Sequence, residues 1–153
     1  MLETPHVAVG IALATRFPNP WVSIPLALAS HFVLDKIPHW NPHLYTETQK
    51  LGHPSEKSTS IAVIDIGAAF LMGSFFAYRA LPDTKMAILI LTCSLASVLS
   101  DVVKYPYYYF HARQKFFVNW VKFERSIQVD TKSQFWGIFT QVVIIGASLW
   151  WTI

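Results

Sequence analysis

The sequence is poor in charge and nearly without cysteine. Lys, Arg, Asp and Glu together make up only 14% of its 153 residues, against about a quarter in a soluble globular domain. That shortfall argues against a surface solvated on all sides. Cys93 is the single cysteine, which excludes an internal disulfide or a paired-cysteine metal motif. It falls inside an apolar run and reads as a small packed hydrophobe. There is no Gly-rich phosphate loop, internal repeat, low-complexity segment or basic recognition helix, so no nucleic-acid partner is expected. Met1 to His6 lacks a basic n-region and no small-residue cleavage site follows; no removable signal peptide is expected.

What is present in quantity is apolar. Hydrophobic residues make up 53% and aromatic residues 15% of the chain, with mean hydropathy +0.37. The length suits one domain, 1–153. Five apolar stretches are separated by turn signals: about Val7 to Phe17, Trp21 to Ile37, Ser58 to Arg79, Thr84 to about Lys104, and Ser133 to Ile153. Thr4 and Pro5 read as N-cap and first residue of the first helix. From Pro5 it spans only about 20 Å, short of a hydrocarbon core of about 30 Å, so it is tilted, re-entrant or shielded by its neighbours. Pro18-Asn19-Pro20 stops it, Pro38 stops the second, and Asp83 reads as the N-cap of the fourth. Residues 38–57 read as a loop. In 105–132, aromatic and basic residues alternate, as suits a helix lying in the headgroup layer. The expected fold is an all-α, polytopic membrane helical bundle of four or five hydrophobic helices plus an interfacial amphipathic helix.

Basic residues gather in two inter-helix segments. Lys36, Lys50 and Lys57 lie near the first, and Lys104, Arg113, Lys115, Lys122, Arg125 and Lys132 in the second. The opposite side shows little more than Arg16, Arg79 and Lys85. If all five stretches cross, the positive-inside rule puts the basic side in the cytoplasm of a multi-pass cell-membrane protein.

Ionisable residues sit where lipid would not tolerate them. Asp65 lies inside the third stretch, and Asp35 and Asp101 lie near the ends of the second and fourth. A charge at the bilayer centre costs about 2.5–3.5 kcal/mol even on lenient scales. An aspartate at a helix C-terminus also opposes the macrodipole. Ser23, Ala27, His31 and Asp35 recur every four residues as a small, polar stripe; Ser94, Ser97 and Asp101, His6, Gly10 and Ala14, and Gln134, Gln141 and Ser148 form others. For the serines and glutamines, helix–helix contact explains the stripes. In an up-and-down bundle, His6, His31, Asp35, Asp65 and Asp101 all fall in one leaflet, with His39 just beyond. Singly, each histidine reads as a hydrogen-bonded helix-end residue, and Asp35 as a partner for Lys36 or Lys104. As a set they point to a metal or catalytic centre. Glu124 and Gln128, one turn apart, are further candidates to reach it.

Thr4-Pro5-His6 opening a short helix, followed by His31-Phe32-Val33-Leu34-Asp35-Lys36-Ile37-Pro38-His39-Trp40, resembles the small membrane-bound metal-dependent hydrolases. It is also loosely similar to the His-x-x-x-Asp…Pro…His run of zinc-dependent phospholipases C. The loop Gly52-His53-Pro54-Ser55-Glu56-Lys57-Ser58 lacks the His-Arg-Gly-x-Thr-His-Ser type motif often found in the membrane-bound family, and the phospholipase run has two more residues before its last histidine. The resemblance implies a helical metal site, one or two divalent ions (zinc foremost), and phosphoester hydrolysis. His6, His31, Asp35, His39 and Asp101 are then the candidate metal ligands, and Asp65 and His39 the candidate catalytic residues. Membrane lipids, a phospholipid or other phosphoester substrate, and self-association are the expected partners. The competing expectations are an ion- or proton-conducting protein and a structural membrane protein in which the same acids fix helix register.

Overall fold

A computed structural model describes residues 1–152. The described chain is all-α, with seven helices and no strand. Its first helix explains the arrangement of the rest. α1 (Glu3–Arg16) carries Val7, Ala8, Gly10, Ile11, Ala12 and Ala14, all buried and spread around its circumference. A helix apolar on every side belongs in an interior, and α1 occupies the centre of the bundle. Around it pack α2 (Pro20–Leu34), α4 (Glu56–Arg79), α5 (Thr84–Tyr109) and α7 (Gln134–Thr152). The short α1 is thus shielded by its neighbours. Two further helices, α3 (Leu44–Leu51) and α6 (Lys115–Ile127), lie in the connections at one end.

Local signals set most boundaries. Asn19 caps α2 by accepting from the Trp21 amide at 3.0 Å, with Pro20 as first residue. Asp83 caps α5 as expected, accepting from Met86 at 3.0 Å, and Ser55 caps α4, accepting from Ser58 at 3.2 Å. Gly52 ends α3 in the left-handed region, φ 83°, where the absence of a Cβ removes the steric cost.

Several expectations need correction. Helix α1 begins at Glu3 with Leu2 at its N-cap; Thr4 is inside the helix and its hydroxyl serves a neighbouring helix instead. The loop expected over 38–57 contains α3, a polar helix too short to show apolar periodicity. α5 passes Lys104 and continues through Pro106 to Tyr109, so Asp101 lies well before its end. Gln134 is exposed, and the inward face of α7 runs through Gly137, Gln141 and Ser148. Three helices, α4, α5 and α7, are long and apolar enough to cross a membrane, against the four or five spans expected. α1 and α2, with 14 and 15 residues, extend only about 21 and 22 Å.

The burial pattern is inverted relative to a water-soluble domain. The inward stripe of α4 is Ser58, Ala62, Ala69, Gly73 and Ala77, while Ile64, Phe70 and Leu71 on its outer face are 72%, 72% and 69% exposed. Small residues inside allow close backbone approach, and large apolar residues outside suit a hydrocarbon solvent.

The tightest approach is at Gly10, where an added Cβ would lie 2.7 Å from the Cys93 carbonyl oxygen. Gly67, on the outer side of α4, has nothing within 4 Å of that position. Gly10→Ala therefore loses about 1–3 kcal/mol through overpacking, whereas Gly67→Ala gains up to about 1 kcal/mol of helix propensity. Thermal unfolding in detergent checks both; equal effects would contradict the close packing of α1 on α5.

Candidate metal centre

The stripe expected on α2 is its buried face: Ser23, Ala27 and His31 are fully enclosed, and Asp35, the C-cap, is 2% exposed. Its end meets the start of α1, the later turns of α5 and the last turn of α6. These elements bring His6, His31, Asp35, Asp101 and Glu124 together. His39 joins from the connection after α2, where residues 35–39 run beside 129–131. The Val129 amide donates to the Asp35 carbonyl at 2.9 Å, the Thr131 amide to the His39 carbonyl at 2.9 Å, and the His39 amide to the Val129 carbonyl at 3.2 Å. This pairing holds His39 in the bundle despite Pro38.

The two innermost imidazoles stack, with ring centroids 4.2 Å apart and planes 21° from parallel. His31 Nδ1 lies 2.9 Å from the Ser97 carbonyl oxygen. A carbonyl only accepts, so Nδ1 carries the hydrogen and the Nε2 lone pair is available in the neutral ring. Nε2 faces Asp35 Oδ2 at 3.6 Å, Glu124 Oε1 at 3.7 Å and Asp101 Oδ1 at 3.9 Å. These separations are too long for hydrogen bonds. A lone pair surrounded by carboxylates is repelled unless positive charge lies between them.

His6 is more exceptional. Its Nδ1 and Nε2 are both buried without a hydrogen-bond partner among the described residues, although Asp35 Oδ1 is 3.4 Å from Nε2. His31 Nε2 and Asp101 Oδ2 are also buried without a hydrogen-bond partner, whereas Glu124 Oε2 meets the Lys104 ammonium. Buried polar atoms are ordinarily satisfied, so this concentration in one place singles the cluster out as the candidate site. His6, His31 and Asp101 each offer one donor atom, all within 4.8 Å of one another, and could hold a metal ion.

Asp35 is the hub of the other half. Besides the imidazoles of His6 and His31 it meets His39 Nε2 at 3.9 Å, accepts from Gln128 Nε2 at 3.1 Å, and contacts the Met1 amino group. Neither Lys36 nor Lys104 pairs with it. Lys104 instead bridges Asp101 and Glu124. This buried lysine supplies the nearest side-chain positive charge to the acids, and its i,i+3 spacing from Asp101 on α5 was the available sequence signal. Both residues offered as further candidates on α6 and just after it, Glu124 and Gln128, do reach the cluster.

His39 Nδ1 donates to the Ile37 carbonyl at 2.7 Å, and its Nε2 accepts from the Asn41 amide at 3.0 Å. Burial lowers its pKa from the ordinary value, with the nearby Met1 ammonium acting in the same direction. Burial raises the pKa of Glu124, partly opposed by Lys104. Asp65 lies apart from the imidazoles. Its carboxylate accepts from the Thr4 hydroxyl at 2.6 Å, the Glu3 amide at 2.5 Å and the Thr4 amide at 3.3 Å. Asp65 on α4 therefore satisfies the first-turn donors of α1, as an N-cap side chain would.

Removing the buried lysine leaves Asp101 and Glu124 without their cation. In metal-free protein, Lys104→Met loses about 3–5 kcal/mol, and adding Glu124→Gln recovers part of it. A double-mutant cycle by denaturant unfolding in detergent checks this; independent, additive effects would contradict the bridge. Comparison with family models, with curated proteins and with solved structures finds no match to this chain.

Proposed function

We propose that the chain is a membrane-embedded, metal-dependent hydrolase of phosphoesters, with its centre at the cytoplasmic face of a multi-pass bundle. The observation that carries this reading is the buried set His6, His31 and Asp101, with free donor atoms converging from three helices. Two imidazoles and a carboxylate suit zinc, and three protein ligands leave a position open, as in catalytic rather than structural sites. When bound, a divalent cation there would acidify a coordinated water and draw charge from a phosphoryl oxygen.

The remaining residues take roles from their contacts. The Ser97 carbonyl fixes His31 in the tautomer that leaves Nε2 free. Asp35, 3.4, 3.6 and 3.9 Å from Nε2 of His6, His31 and His39, orients these imidazoles. His39, neutral and accepting at Nε2, is the candidate general base. Asp65, the other candidate from the sequence, is assigned the holding of α1 and hence of His6. Lys104 and Asp101 line a cavity of about 110 Å³ bordered by Asn41, Tyr105, Tyr108, Arg125 and Gln128. Lys104 and Arg125, paired there with Asp101, Glu124 and Asp130, are the cations that a phosphate group entering from the headgroup layer would share.

Membrane embedding rests on α4, α5 and α7 and on the exposed apolar surface. We assign α1 and α2 to the same layer as shorter helices, α6 to the interface, and the basic connections to the cytoplasmic side. Among the described residues every buried His, Asp, Glu and Lys belongs to the one cluster. A conducting pathway needs such groups at other depths too, so hydrolysis is the better supported use.

Metal analysis of detergent-purified protein after zinc-replete expression tests the proposal. The wild type retains about one ion per chain, and hydrolyses p-nitrophenyl phosphate in a chelator-sensitive manner. His31→Ala/Asp101→Ala retains neither property. A folded wild type that holds no metal would sink the hydrolase reading.

A further inference from the structure

A second, apolar cavity lies beside the polar one. It is a groove of about 330 Å³ between α4 and α5 with α1 at its back, lined by Ile66, Ala69, Phe70, Leu91, Leu95 and Val98 among others. Its floor is low because Gly73 lies against Ser94: an added Cβ would be 3.3 Å from the Ser94 hydroxyl. On α5 the lining runs from Leu91 to Tyr105, about 21 Å along the helix axis. Both helices are apolar and long enough to cross a membrane, so the groove opens to hydrocarbon rather than to water.

The groove adjoins the polar cavity. Glu3 and Tyr105 line both, and the Tyr105 hydroxyl donates to Glu3 Oε1 at 2.9 Å across the junction. Asp101 and Lys104 lie within the polar side, one helical turn or less from Tyr105. Glu3 Oε2 is buried without a partner among the described residues, so a molecule threaded through the junction can place a donor on it. One occupant satisfies all three features: an anionic head among Lys104, Arg125 and the proposed metal ligands, a hydroxyl at Glu3, and one hydrocarbon chain along α4 and α5. We propose that the substrate is a single-chain lipid phosphate with a free hydroxyl beside its chain, as in a monoacyl glycerophosphate, entering laterally from the bilayer. This deepens the hydrolase reading and rests on it for turnover, though not for binding.

The test separates the two. Leu95, 57% exposed, lines the groove, whereas Leu99, 42% exposed, lies on α5 outside it. Zinc-loaded wild type, Leu95→Trp and Leu99→Trp are compared with monoacyl glycerophosphate in mixed micelles and with p-nitrophenyl phosphate. Leu95→Trp lowers kcat/KM for the lipid about tenfold or more, leaving the soluble ester and every Leu99→Trp value unchanged. Binding is read without turnover by a monoacyl glycerophosphate carrying a diazirine near its chain end. The label falls on the groove segments of α4 and α5 in wild type and is lost in Leu95→Trp. Labelling spread evenly over the outer faces of α2, α4, α5 and α7, and indifferent to Leu95→Trp, is annular lipid only and overturns the proposal. If the metal-loaded wild type turns over neither ester while groove labelling persists, the hydrolase reading fails and the lipid site stands.

Discussion

The structure depends on keeping two imidazoles and several carboxylates together in a place that water barely reaches. Each of these groups is costly alone. His31 is oriented by a backbone carbonyl so that its second nitrogen points at acids; His6 brings two more nitrogen atoms without partners. Lys104 offsets part of the negative charge by bridging Asp101 and Glu124. An arrangement of this kind is a poor source of stability, since replacing buried charges with well-packed apolar groups is often neutral or better. The bundle bears that cost, and what it keeps in return is a buried donor set, His6, His31 and Asp101, that could hold a metal ion.

The rest of the fold can be read as support for that end of the bundle. α1 is short and enclosed, so its position is set by others: Asp65 ties down its first turn, and Gly10 lets it approach α5 closely. The paired segments 35–39 and 129–131 hold His39 and keep Gln128 on Asp35. α6 delivers Glu124 from outside the core while its aromatic face remains exposed through Phe116 and Phe123. On the other side of the cluster, the polar and apolar cavities meet at Glu3 and Tyr105, joining a charged chamber to a hydrocarbon surface.

Much of this was legible from residue order. Proline and asparagine stops divided the chain into helices that alternate in direction, and that alternation alone put His6, His31, Asp35 and Asp101 at one level. Four-residue spacing identified the buried face of α2 without error. What escaped had physical reasons. α3 is polar and brief, so no apolar period announced it. The fourth apolar stretch fades near Lys104, but the packed helix continues through Pro106 to Tyr109. Asp65 read as a site acid because its partners, the first-turn donors of α1, are remote in sequence and visible only in the tertiary arrangement. Lys104 reads from the sequence as a cytoplasmic-side charge or a partner for Asp35, and only the packing pairs it with Asp101 and Glu124. The shortness of α1 is plain in the sequence, and its packing against α2, α4, α5 and α7 shows that its neighbours shield it.

We propose that His6 and His31 bind one ion together with Asp101. X-ray absorption at the zinc edge of the loaded, detergent-purified protein tests it most directly. Two imidazoles and oxygen donors, with one imidazole lost in His6→Ala, are the predicted outcome. An ion bound only by oxygen, unaffected by His6→Ala, would contradict the account.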